Sequence, residues 1–355
     1  REALNVKVIT KMELQPGMVL GEDIFQHGSL VYPAGTKVDN QIIEKLNRYS
    51  ILCVTVKEDI DFATTHYEKI RFNENFKTFE QVHASVLLRY KEAMFDFLRT
   101  GNKVSDDFLM QLYNELYSLL PNNTSLLDYL YNLMPNEDEL TFTQCLNSAL
   151  LGGTFADWIS MNAEAKKNLI LSGFYYDIGK LRLSTALLWK PGRLTAQEIE
   201  EIRKHTVLGY ELVQRLNLND HIKNAVLMHH ERMDGSGYPY GFSGSQIDLY
   251  ARYIAIIDSY TAMASPRAYR SAFTPLQILG IFEPNLEKYD IELLMPLMKR
   301  IADAQIGTTV QLNDDSMWEV LIIHPNRFSR PILRNKDNLI LDLIDHPELE
   351  IMKNL

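Results

Sequence analysis

Hydrophobic and polar positions change their spacing twice along the chain, and the changes divide it. Over residues 8–58 the apolar runs are short: Leu14 to Leu20 broken by Pro16-Gly17, Leu30-Val31-Tyr32 closed by Pro33-Ala34-Gly35, then Ile51-Leu52-Cys53-Val54. A helix-like stretch lies between them at 41–49. Short runs separated by Pro-Gly and Ala-Gly turns predict a small α/β or β-rich domain over 1–58. Residues 59–75 are polar and read as a linker. From 76 to about 306 apolar residues recur at helical spacing, and the candidate helices are 80–98, 105–119, 125–133, 137–161, 163–175, 195–205, 221–230 and 249–264. Thr195 followed three residues later by Glu198 predicts a capping box, with 190–195 as the loop before it. After Gly307 alternation returns, so 308–312, 318–323 and 339–343 read as strands, with turns at Asn313-Asp314-Asp315 and Pro325-Asn326. The expected fold is mainly α: a helical bundle over 76–306 with a β element at 307–355.

Composition narrows the classes without choosing among them. At 355 residues, 46% hydrophobic and 23% charged, the chain can bury a sizeable core and is not predicted to be disordered. A formal charge of -10 argues against a nucleic-acid polymer or an anionic membrane surface as main partner, because such binding depends on clustered Lys and Arg. A small anionic nucleotide needs only a few local cations. No apolar run reaches the roughly 18 residues of a spanning helix. Cys53 and Cys145 stand in no metal-like spacing, which fits a reducing cytoplasm. The chain opens at Arg1 with no signal-like segment, as a trimmed product would.

The chemistry is concentrated in His229-His230-Glu231-Arg232-Met233-Asp234-Gly235-Ser236-Gly237-Tyr238-Pro239. Upstream stand Asp177-Ile178-Gly179-Lys180 and His205; downstream, Asp258 follows the apolar run 253–257. Imidazoles and carboxylates returning along a helical chain point to one metal site assembled from several helices. A lone His205 would ordinarily be a solvated surface residue, and a lone Asp258 could be satisfied by a helix N-terminus. Adjacent histidines before a Gly-rich turn are harder to explain structurally. His27, His66, His83, His221, His324 and His346 fit no pattern and are assigned to surface or packing.

In these motifs the chain resembles the HD-GYP domains, a branch of the HD metal-dependent phosphohydrolases whose usual substrate is cyclic di-GMP. The resemblance runs over 141–282 and rests on the HHExxDGxGYP signature at 229–239, the DxGK run at 177–180, and Asp258 to Met263 followed by Ser265-Pro266-Arg267-Ala268-Tyr269-Arg270. It implies an HD-type helical bundle preceded by an accessory domain and closed by a small β element. It also implies metal ligands at Asp177, His205, His229, His230 and Asp258, with Asp177 bridging two halves of a site. Two positions depart from the pattern: the His-Asp doublet reads Tyr176-Asp177, and Gln144 stands where an earlier histidine is expected. The half made by Asp177, His205, His229 and His230 is then complete, while the half containing Asp258 lacks both imidazoles. A Gln carbonyl is a weak neutral donor, and a phenol must lose a proton of pKa about 10 before it ligates well.

The resemblance further assigns Asp177 and Lys180 to catalysis and Lys180, Tyr238, Arg267 and Arg270 to holding a phosphate-bearing ligand, with Glu231 orienting a histidine. The bland alternative packs Tyr238 into its loop and places the arginines in surface ion pairs. One transition metal, Fe, Mn or Zn, suits one carboxylate with three imidazoles. The favoured reading is a degenerate member that binds a cyclic dinucleotide or a partner protein with little or no hydrolysis. An active phosphodiesterase with an altered metal site is the second, and a structural interaction module around a relic pocket is the third; a homodimer is compatible with each.

Overall fold

The structure is a computed structural model describing residues 6–354, apart from 27–28, 34–35, 37, 49–50, 52, 58–66, 68–69, 72, 123–124, 134–138, 189, 191 and 266–271. Arg267 and Arg270, with Pro266 and most of the expected linker, therefore lie outside the described residues, as do His27 and His66.

The N-terminal part contains β1 (Val6–Thr10), β2 (Ile24–Gln26), β3 (Ser29–Tyr32), α1 (Asn40–Arg48) and β4 (Cys53–Lys57). β1 pairs antiparallel with β4, and β2 with β3. Ile9, Leu20, Leu46, Val54 and Val56 close a small core of their own. Arg71 joins this part to the helices, bonding Glu13 at 3.3 Å and Asn132 at 2.6 Å.

The helical body comprises α2 (Glu74–Thr100), α3 (Asp106–Tyr117), α4 (Ser125–Asn132), α5 (Leu140–Trp158), α6 (Ala163–Tyr175), α7 (Thr185–Leu188), α8 (Ala196–Arg203), α9 (His205–Val213), α10 (Asp220–Met228), α11 (Leu249–Ala264), α12 (Pro275–Phe282) and α13 (Ile291–Asp303). α2 starts at Glu74, inside the polar stretch, because the Asn73 side chain accepts from the Asn75 N–H and caps it. The Thr195–Glu198 capping box is present. Buried residues cover nearly the whole surface of α5, so no polar face marks its register in the sequence. Its close approach to α6 depends on Gly173, where an added Cβ would lie 2.5 Å from the Ala149 Cα.

The C-terminal sheet has five antiparallel strands, β5 (Thr309–Leu312), β6 (Met317–His324), β7 (Arg327–Arg334), β8 (Ile340–Asp342) and β9 (Ile351–Asn354), in the order β8-β7-β6-β5-β9. Two of these, β7 and β9, are absent from the pattern-based expectation. Pro331 lies in β7, an interior strand, where a residue without an N–H is unusual; register shifts in its pairing with β6 accommodate it. Val310, Val320 and Leu333 join the same core as the helices, so the sheet is packed onto the body. Among the described residues no helix is long and apolar enough to cross a membrane.

Candidate metal centre

Asp177 is placed by two constraints. It follows α6 directly and begins the 3-10 turn Ile178–Arg182, and that turn lies against the start of α9. Gly179 makes the contact possible: a Cβ there would fall 1.8 Å from the His205 carbonyl oxygen. His205 opens α9, while His229 caps α10 and His230 begins the signature loop. Three segments distant in sequence thus present Asp177, His205 and the adjacent pair His229 and His230, whose ligand atoms all lie within 4.8 Å of one another.

The hydrogen bonds fix which atoms face inward. His205 Nδ1 lies 2.6 Å from the Ile202 carbonyl oxygen, and His229 Nδ1 lies 3.1 and 3.0 Å from those of Ala225 and Val226. A carbonyl only accepts, so each Nδ1 carries the proton and a neutral ring leaves a bare lone pair on Nε2. Those two Nε2 atoms are 3.2 Å apart. Asp177 Oδ1 lies 3.3 Å from the first and 3.7 Å from the second, is fully buried and has no hydrogen-bond partner among the described residues. Three acceptors without a proton between them repel unless a cation joins them. Tetrahedral ligation with arms of about 2.0–2.1 Å gives ligand–ligand edges of about 3.4 Å, close to these separations. The residues present therefore fit a transition metal.

The electrostatics agree. Burial would raise the Asp177 pKa, but Lys180, 2.5 Å from Oδ2, and the neighbouring imidazoles outweigh it and hold the carboxyl below its ordinary range. Burial lowers His205 to about 3, against the pull of Asp177. Loss of solvent, then the neighbouring His229, His205 and cations, push His230 well below its usual value. Both rings stay neutral and available as ligands at neutral pH.

The other predicted residues have a different arrangement. Asp258, on α11, is not part of the four-residue group; its Oδ1 accepts the Tyr176 hydroxyl at 3.0 Å. Tyr176 is fully buried, lies edge-on to His229 at 5.0 Å, and has Ser148 Oγ at 3.4 Å from its hydroxyl. Burial first, then the carboxylates of Asp258 and Asp177, raises its pKa well above 10, so the phenol remains a neutral donor. Gln144 is buried on α5.

Tyr238 stacks on the His230 ring at 4.7 Å with 22° between planes, and its pKa is raised, first by burial. Glu231 differs from expectation: its Oε1 accepts the Tyr240 backbone N–H at 2.8 Å, bracing the loop rather than a histidine. Arg203, which no motif singles out, lies with its guanidinium carbon 5.0 Å over the Tyr238 ring. Of the unassigned histidines, His83 is buried and bonds Asn147 at 2.9 Å.

The HD domain family matches residues 130–293, which contain all four clustered residues. The chain is 34% identical over 150 residues to the 3'3'-cGAMP-specific phosphodiesterase 1 of Vibrio cholerae, covering 42% of this chain and 35% of that one. It is 26% identical over 254 residues to a cyclic di-GMP phosphodiesterase of Pseudomonas aeruginosa, covering 70% and 61% respectively. The chain carries an HD domain. It spans 35% and 61% of the length of those two relatives, although a 20% identical cyclic di-GMP phosphodiesterase, PdeB of Borreliella burgdorferi, is matched over 92% of this chain and 87% of its own length. Among solved structures, the HDG"Y"P protein Bd1817 of Bdellovibrio bacteriovorus aligns at TM-score 0.40 and 12% identity, over 83% of this chain and 98% of that one.

Proposed function

We propose that this HD-domain protein holds one transition metal, Fe, Mn or Zn, at Asp177, His205, His229 and His230, and binds a cyclic dinucleotide beside it with little or no hydrolysis. The observation carrying the reading is the hydrogen bond from Tyr176 to Asp258. Where a second metal would need imidazoles and a free carboxylate, a neutral phenol already occupies the carboxylate. Two-metal hydrolysis of a phosphodiester uses ions about 3.5 to 4 Å apart to activate water and stabilise the leaving oxygen. With one half satisfied by hydrogen bonds, that division of labour is lost.

A single bound metal would supply a Lewis-acid contact to a phosphoryl oxygen. Lys180 neutralises Asp177 and adds positive charge beside it. Tyr238 covers the His230 face of the cluster, and Arg267 and Arg270 are assigned to the ligand's phosphates or guanine edges by their place in the family motif. The names of the relatives support a cyclic dinucleotide as ligand class.

The test combines elemental analysis of anaerobically purified protein, calorimetry with cyclic di-GMP and 3'3'-cGAMP, and a turnover assay. One metal with nucleotide binding and negligible turnover is expected. Arg267→Ala should then weaken binding by roughly 1.5–3 kcal/mol, the range of a hydrogen bond to a charged group. Rapid turnover at matched metal loading would overturn the reading in favour of an active enzyme; neither metal nor nucleotide binding would favour an interaction module.

A further inference from the structure

The three imidazoles of the cluster are not held alike. His205 and His229 each donate through Nδ1 to backbone carbonyls one helical turn back, which fixes ring plane and tautomer together. The His230 ring makes no hydrogen bond among the described residues. Terminal rotation of an imidazole about its last torsion is broad, so a ring without a hydrogen bond needs another restraint to aim its nitrogen. Here the restraint is a face: Tyr238 lies nearly parallel to His230 at 4.7 Å, while His205 stands edge-on to it at 5.0 Å and 87°.

Tyr238 is itself well held. Its backbone N–H donates to the His230 carbonyl at 3.2 Å, closing the loop on the histidine it covers. Beyond it, the Tyr240 N–H is taken by buried Glu231. Before it, Gly237 passes so close that a Cβ would lie 2.4 Å from the Glu231 Cα. The Arg203 guanidinium lies over the same phenol ring.

We infer that Tyr238 is a positioning residue for the metal, its ring setting the plane of His230 in place of the hydrogen bond that orients the other two histidines. The inference rests on the proposed metal at this cluster. It assigns the Tyr-Pro end of the signature loop to the metal site's support and requires the ring face, not the hydroxyl.

The test is metal affinity of the full chain, measured by competition of Zn or Mn with a chromophoric chelator, for wild type, Tyr238→Phe, Tyr238→Leu, His230→Ala and the Tyr238→Leu/His230→Ala pair. Removing a partner that orients a ligand typically costs ten- to a hundredfold in affinity, so Tyr238→Leu should weaken binding about tenfold or more, while Tyr238→Phe stays within about threefold of wild type. The double variant should bind no more weakly than His230→Ala alone, because Tyr238 acts through that ring. Leu preserves apolar bulk, and melting each variant without metal separates lost packing from lost affinity. Additive losses in the double variant, or Phe as weak as Leu, would overturn this inference while leaving the metal site standing. Absence of metal binding by the wild type would overturn the proposed function and this inference with it.

Discussion

Two groups of buried polar residues lie side by side in this molecule and solve opposite problems. Asp177, His205 and His229 leave three acceptor atoms facing one another, with each imidazole proton already engaged elsewhere. Tyr176 and Asp258 leave no such gap, because the phenol donates to the carboxylate. Unpaired acceptors buried together are costly, and ones that persist at tetrahedral spacing indicate a cation. A phenol beside a carboxylate closes such a gap with a single proton. The comparison teaches that two neighbouring buried polar groups can be satisfied in different ways, one by an internal proton and one by an added cation.

The largest effect should come from the open group. His229→Ala with His230→Ala should abolish stoichiometric metal in elemental analysis, a loss of at least about a hundredfold in affinity given that two of four ligands go. Retained metal would mean the ion is elsewhere. The closed group is attacked by Gln144→His with Tyr176→His, which returns two imidazoles beside Asp258. Wild type is expected to hold at most one metal per chain and the double variant to approach two, with each single change gaining little. Two metals in the unaltered chain would erase the contrast.

Acid probes a third polar pair for comparison. Burial outweighs the Asn147 hydrogen bond and lowers the His83 pKa to about 4. The unfolded state then takes up the proton first, so stability is full above about pH 6.5 and declines toward pH 4, by roughly 3 kcal/mol from this residue. Denaturant melts of metal-free protein across that interval should show the decline, shallower in His83→Gln. A pH-independent midpoint would contradict a neutral buried imidazole. The smallest expected effect is Tyr176→Phe, which strips Asp258 of its donor and should cost about 1–3 kcal/mol of stability in the same melts. No measurable change would mean that water or another group replaces the phenol readily.

Much of this was legible before any coordinates. Asp177 and His229 of the open group lie in the family motifs, and the Thr195–Glu198 box is a local pattern with a local consequence. What escaped was tertiary. Nothing in the run Arg203-Lys204-His205 indicates that Arg203 will lie over Tyr238, and nothing near Glu231 indicates that its Oε1 will accept a backbone N–H nine residues on. His83 looked unremarkable because its partner is 64 positions away. The strand β7 was hidden by Pro331 and by polar residues on its outer face, and β9 by its brevity.

The signature loop is tied to more than its histidines. The Met233 N–H donates to the Lys288 carbonyl at 3.1 Å, and Arg232 lies over the Tyr289 ring. At the other end of that same short segment, Glu283 accepts both the backbone N–H and the hydroxyl of Ser329 in β7, at 3.0 and 2.6 Å. Loop, segment and sheet are thus linked end to end, and the sheet shares the helices' core. In the language of hydrogen exchange they should form one opening unit: the Met233 amide is expected to exchange with the same opening free energy as amides of β7, although nearly a hundred residues separate them, while the amides of β1 and β4, over their separate small core, open independently.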